Sequence, residues 1–220
     1  MRFIDKKLAN QPKELIAYKK TTKPTYANFQ DKEILREALL KEQGFLCGYC
    51  MCRIENDSLK TKIEHYQEQC NFGEKTLDFD NMLAVCCGVL NNETKNPICD
   101  TKRGQFKPTE QSLQINPFDK SQMDKISFEN DGRISVDNLT LQADLDEKLN
   151  LNHDILKTNR KKAIAEIQKI TAQKFPSKIL TKAFISEKVA YYNNFDESDK
   201  LKPFCQVYIY WLKQRESKAI

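Results

Sequence analysis

The sequence predicts an α+β fold in which helices from both ends embrace a small, loop-rich centre. Three observations predict it. Apolar residues recur at helical spacing before residue 46 and after residue 150. Between Cys47 and Phe106 that period is lost, and seven of the eight cysteines crowd into this stretch. Residues 126–136 alternate about an Asn-Asp-Gly turn.

Taken in order, residues 31–43 place Ile34, Leu35, Ala38 and Leu39 on one helical face, with Asp31 as N-cap and Gly44 just past the end. This helix closes an N-terminal segment, residues 1–46, and delivers the chain to Cys47. Residues 47–110 form the centre, where the short apolar runs Lys62-Ile63-Glu64-His65 and Met82-Leu83-Ala84-Val85 read as strands between polar loops. So loop-rich a unit needs a metal to hold it together. Residues 111–220 carry the rest: a hairpin with Ile126, Phe128, Ile134 and Val136 about Asn130-Asp131-Gly132, then helical stripes packed on the centre. One stripe holds Leu156, Ala163, Ile164, Ile167 and Ile170. Pro176 breaks it, and a second holds Ile179, Leu180, Ala183 and Phe184. A last helix near 203–214 turns Phe204, Val207, Tyr208, Trp211 and Leu212 to one side.

The composition, 40% hydrophobic and 30% charged with few Gly and Pro, excludes collagenous and wholly disordered classes. No apolar run is long enough to span a membrane and no cleavable leader opens the chain, so a cytoplasmic protein is expected. A reducing compartment turns crowded cysteines toward metal binding rather than disulfides. Cys47-Gly48-Tyr49-Cys50 offers two thiolates from one tight turn, and Cys86 and Cys99 are the candidates to close a tetrahedral zinc site. Cys52 and Cys87 compete by proximity, but alternation along a strand keeps Cys86 and Cys87 from sharing one ion. The alternative is buried free thiols acting as small hydrophobes, as expected for Cys70 and Cys205.

Net charge is +5, and the segment from Leu151 to Lys188 holds nine basic residues (Lys178 among them) against three acids, so it carries the whole excess. Lys102, Arg103, Arg160, Lys161 and Lys162, with Lys157, are candidates for contact with nucleic-acid phosphates; the alternative is a solvated helix face.

Between the halves of the cysteine set lies Ile63-Glu64-His65, and sixteen positions on comes Asn81, opening the second strand. Here the sequence resembles the HNH endonucleases, whose ββα-metal (His-Me finger) core sets an acid and a histidine on the first strand, an asparagine before the second and a last metal ligand on a helix. CGYC, IEHYQEQ, LDFDNMLAVCC, CDTKRG, the INP at 115–117 and LNLN at 149–152 resemble successive landmarks of the PtuB-like family, the HNH nucleases of Septu-type and retron anti-phage systems. The resemblance spans roughly residues 10–165. Two departures, Glu68 in place of a proline and Arg103 where many HNH proteins carry lysine, are expected to leave the chemistry untouched.

The resemblance implies His65 as general base, Glu64 and Asp100 as ligands of a catalytic divalent ion, and Asn81 as the residue that ties the loop and orients His65. Hydrolysis of a phosphodiester needs a base near neutral pKa and a cation on the phosphate, and two hard oxygen ligands suit Mg²⁺ or Mn²⁺. Adjacent residues of a regular strand face opposite ways, so a bulge or strand end is expected at Glu64-His65. His153 is expected at a surface or a helix start. DNA rather than RNA is the expected substrate, and relatives work with an ATPase subunit, for which the helix carrying Trp211 is a candidate dock. The competing expectations are a free-standing restriction-type or homing HNH nuclease, and a zinc-bearing nucleic-acid or protein adaptor without chemistry.

Overall fold

The computed structural model describes residues 1–89, 95–177 and 179–220; Lys178, counted above in the basic segment, lies outside them. Among the described residues the chain runs α1 (Lys13–Tyr18), α2 (Lys32–Glu42), β1 (Thr61–His65), β2 (Met82–Cys86), α3 (Cys99–Arg103), α4 (Lys120–Met123), β3 (Ser127–Phe128), β4 (Ile134–Ser135), α5 (Leu139–Ala143), α6 (Asp154–Lys174), α7 (Lys182–Asn193) and α8 (Cys205–Lys213). The fold is α+β, with two small antiparallel sheets, β1-β2 and β3-β4. No helix among the described residues is long and apolar enough to cross a membrane.

Helix α2 buries Leu35, Leu39 and Leu40, while Ile34 stays 43% exposed at the edge of the stripe. Asp31 precedes it without a capping side-chain bond. The helix stops because Gly44 turns left-handed at φ +62, where a Cβ would sit 2.5 Å from Leu201 Cγ. Just before it, the Gln43 amide takes the free edge of β2, accepting from Ala84 N at 2.7 Å and donating to Ala84 O at 2.7 Å.

Strand β1 pairs with β2 in a regular register, Thr61 opposite Cys86 through His65 opposite Met82. The pair leads to α3, which is too short to be stable alone. The 149–152 segment holds it: Leu149 O accepts from Cys99 N at 2.9 Å, and Asn150 Nδ2 donates to Pro97 O at 3.0 Å. Two residues on, the Asn152 amide brackets Ile134, accepting from its N–H and donating to its carbonyl, each at 2.9 Å, and so extends the hairpin. The hairpin turn is closed by Gly132 at φ +88, where a Cβ would meet Lys157 O at 2.0 Å.

One continuous core draws on all three segments of the chain, with Leu39, Leu83, Ile115, Ile167 and Leu212 fully buried. The α8 face read from the sequence is part of it. Tyr208 and Trp211 are buried, Tyr208 OH donates to Glu166 at 2.7 Å, and Arg215 stacks 3.3 Å over the Trp211 ring. That burial removes α8 as an exposed aromatic dock. Helix α7 begins later than its apolar pattern: Thr181 caps it, and Leu180 O instead accepts from Ile220 N at 3.1 Å.

Candidate metal centre and active site

The turn after α2 brings Cys47 and Cys50 together, with Met51 N bonded to Cys47 O at 3.0 Å and Met51 left-handed at φ 64. Cys86 ends β2 and Cys99, at φ 53, opens α3. The four sulfurs lie within 4.8 Å of one another, with Cys47 to Cys99 at 3.8 Å and Cys50 to Cys86 at 3.9 Å. A tetrahedral zinc with bonds of about 2.3 Å requires sulfur-to-sulfur edges of about 3.8 Å, so the donor set fits such an ion. Cys86 N–H points to Cys47 Sγ at 3.3 Å, the kind of donor that supports a thiolate. Cys52, Cys70, Cys87 and Cys205 stand outside this cluster. Cys86 and not Cys87 turns inward, as strand alternation requires.

Next to this centre, Glu64, His65, Glu68, Gln69, Asp100 and Arg103 line one cavity of about 350 Å³. Strand β1 ends at His65 with no bulge, so the strand end lets consecutive side chains reach one space. His65 is 3% exposed. Its Nε2 lies 2.9 Å from Thr76 O, which only accepts, so Nε2 carries the proton and the Nδ1 lone pair accepts from Gln69 Nε2 at 3.0 Å. Tyr26 packs edge-on against the ring at 4.6 Å. Burial holds the His65 pKa below its ordinary 6.5, with the Thr76 contact opposing and the Arg103 charge adding to the shift, so the ring is uncharged at neutral pH.

The Asn81 side chain makes no hydrogen bond to His65. Its amide accepts from Gln67 N at 2.8 Å and donates to Gln67 O at 3.0 Å and Lys75 O at 3.2 Å, fixing the loop one residue before the carbonyl that holds the ring. Orientation of His65 by Asn81 is therefore indirect.

Glu64 Oε1 accepts from Arg103 Nη1 at 2.6 Å and from Tyr49 OH at 3.3 Å, and its carboxyl lies within hydrogen-bonding reach of Asp100. Burial first, and then the Asp100 carboxylate, push the Glu64 carboxyl up to about 8 against the pull of Arg103. Asp100 Oδ2 accepts from Lys62 Nζ at 2.8 Å, and Lys62 also reaches Thr101 Oγ1 at 2.9 Å. The two carboxylates thus offer at most a pair of hard donors, in contrast to the complete set of four sulfurs.

Two basic residues expected at a nucleic-acid surface are buried instead. Arg103, its side chain 3% exposed, pairs with Glu64 and with Glu68 at 3.0 Å and donates to the carbonyls of His65, Tyr66 and Gln111 at 3.0, 2.8 and 2.8 Å. It and Glu68 therefore do touch the site, contrary to the expectation for these departures. Arg160 is 1% exposed and clamps the hairpin, donating to the carbonyls of Gly132 and Leu151. Lys161 and Lys162 are exposed and Lys102 is half-exposed. His153 starts α6, its Nδ1 accepting from Ile155 N at 3.2 Å, but is buried rather than superficial.

Sequence reasoning passed over Tyr26 and Thr76, which lie in no motif, and gave no role to Lys62 or to Gln69, although both lie in stretches it singled out. Tyr49 had a signal, since its place inside the cysteine turn aims it at whatever lies beneath. Neither a family model nor a curated protein matches the chain.

Proposed function

We propose that the chain is a metal-dependent HNH-type endonuclease that hydrolyses phosphodiester bonds, with zinc on Cys47, Cys50, Cys86 and Cys99 as its structural staple. The observation that carries this is the shared cavity: an uncharged imidazole with its Nδ1 lone pair available stands beside two carboxylates, on a strand end, a strand and a helix joined through four thiols. His65 Nδ1 takes a proton from water, displacing the exposed Gln69 amide, and the bond from Nε2–H to Thr76 holds the ring as it becomes charged. Glu64 and Asp100 are the residues that would hold Mg²⁺ or Mn²⁺, which when bound would supply positive charge against that developing on the phosphate and the leaving oxygen. Arg103 and Tyr49 fix the Glu64 carboxylate through one oxygen.

The resemblance to PtuB-like nucleases supplies the setting: a cytoplasmic effector of a Septu-type or retron-associated anti-phage system, acting on DNA with an ATPase subunit. A free-standing restriction-type or homing nuclease would share the cavity. One observation favours a zinc-bearing adaptor without chemistry: Arg103 and Lys62 already give each carboxylate a cationic partner.

The test is cleavage of supercoiled plasmid and of transfer RNA with Mg²⁺ or Mn²⁺, with and without an ATPase encoded beside the gene, comparing wild type with a folded, zinc-loaded His65→Ala. Cleavage lost in the variant supports the assignment and names the nucleic acid. Equal inertness with the ATPase present overturns it in favour of the adaptor.

A further inference from the structure

Phe72 and Phe106 are half-buried, yet neither belongs to the hydrophobic core nor to the half-buried apolar residues packed against it. Each ring has a lysine over it: Lys75 Nζ lies 5.7 Å from the Phe72 centroid, and Lys102 Nζ 5.7 Å from that of Phe106.

Their positions are tied to the cavity. Phe72 N donates to Glu68 O at 3.0 Å and Phe106 N to Arg103 O at 3.1 Å. Glu68 and Arg103 both line the cavity and are bound to each other at 3.0 Å. One buried ion pair therefore fixes the segments that carry both rings, and the Asn71 amide joins them again, donating to Pro108 O at 3.0 Å. On segments that leave two cavity-lining residues, two aromatic rings with attendant ammonium groups have the chemistry of platforms for unpaired bases: the ring stacks on any base, and the ammonium meets the adjoining phosphate.

We infer that Phe72 and Phe106 are base-stacking platforms at the mouth of the Glu64, His65 and Asp100 cavity, and that the substrate is nucleic acid with unpaired nucleotides, as a single strand or a loop. The inference rests on the nuclease reading for the meaning of the cavity, but its test reads binding and not cleavage.

Zinc-loaded full chain, without added divalent ion, is titrated against labelled single-stranded DNA, single-stranded RNA and a blunt duplex of equal length. Stacking is worth about 1–3 kcal/mol per base, so Phe72→Ala and Phe106→Ala should each weaken single-strand binding by about tenfold or more and leave duplex binding nearly unchanged. Phe106→Trp should restore the affinity lost in Phe106→Ala, which a folding defect would not allow. Phe195→Ala, which removes an exposed ring elsewhere, should change nothing. The tighter of the two single strands names the sugar. Duplex bound as tightly as single strands, alanine variants that bind as wild type does, or no binding to any of the three would overturn the inference. Single-strand binding with this mutational pattern but no cleavage in Mg²⁺ or Mn²⁺ would support it and overturn the nuclease assignment alone.

Discussion

Replacing Arg103 by Met keeps most of the side-chain volume and deletes the charge. The guanidinium serves two carboxylates and three backbone carbonyls, and its own side chain is 3% exposed while those of Glu64 and Glu68 are 11% and 7% exposed. Removing one member of a buried pair costs about 3–5 kcal/mol, because the remaining charge is left without compensation. A chain of this size loses about 2–4 °C of melting temperature per kcal/mol, so zinc-loaded Arg103→Met should melt about 6–20 °C below wild type near neutral pH. Arg103→Lys should fall between, since one ammonium cannot fork to Glu64 and Glu68 together. The Glu64 carboxyl, pushed up to about 8, is already largely protonated at neutral pH, so the stranded charge is that of Glu68; protonating it removes that charge, and the deficit should narrow as pH falls toward 4. Circular dichroism melts of the three proteins across that range are the assay. Arg103→Met melting within 2 °C of wild type, or a deficit independent of pH, would refute the argument.

Other perturbations follow from the same contacts. Burial pushes the Glu68 carboxyl up, but hydrogen bonds from Ser112 and Asn71 outweigh it and hold the group below its ordinary 4.5. A depressed acid stabilises the fold above its unfolded pKa and stops doing so as pH drops through the folded value. Glu68→Gln should therefore cost roughly 1–3 kcal/mol at pH 7 and almost nothing at pH 3; denaturant midpoints at the two values decide, and a constant deficit contradicts it. Cys86→Ser should lose bound zinc and most of the fold, because structural zinc contributes about 10 kcal/mol or more, whereas Cys87→Ser should keep one zinc per chain; metal analysis of the two variants separates them. Asn81→Ala strands the Gln67 amide and the Gln67 and Lys75 carbonyls, and should cost roughly 2–4 kcal/mol. It should also raise hydrogen exchange across residues 66–76, and unchanged protection there would count against the loop-tying role.

Much of the fold was legible because burial writes a period into the chain. Leu35 and Leu39 of α2, Leu156, Ala163, Ile164 and Ile167 of α6, and Ile126, Phe128, Ile134 and Val136 about the hairpin are all buried as their spacing predicts. The clustering of Cys47, Cys50, Cys86 and Cys99 was legible from spacing and strand alternation. Polar burial was harder to read, since it depends on acceptors brought from elsewhere. Arg103 finds its partners in the β1–β2 loop and at Gln111, and nothing local announces them. Arg160 did leave a trace: it falls four residues after Leu156 and four before Ile164, on the buried stripe itself. Residues 179–181 misled because Ile179 and Leu180 continue a helical pattern, while their backbone is drawn out to meet Ile220. The stacking rings and Gln69 follow no period at all.

The four-cysteine cluster and the candidate chemistry are built from neighbouring residues. Tyr49, between Cys47 and Cys50, donates to Glu64; Asp100 follows Cys99; and β1, which ends in Glu64 and His65, is paired along its length with the strand that ends in Cys86. Helix α3 has five residues and starts from a left-handed cysteine, so its own hydrogen bonds cannot set where Asp100 lies. The thiolate cluster and the bond from Cys99 N–H to Leu149 set it. An adaptor needs such a staple to fold. It has no use for a carboxyl pushed up to about 8 by burial and the Asp100 carboxylate, a shift that costs stability at neutral pH. Groups displaced in opposite directions from their ordinary pKa values within one cavity fit the acid–base chemistry proposed above, although a buried ion-pair network such as Glu64 and Arg103 shifts pKa values too.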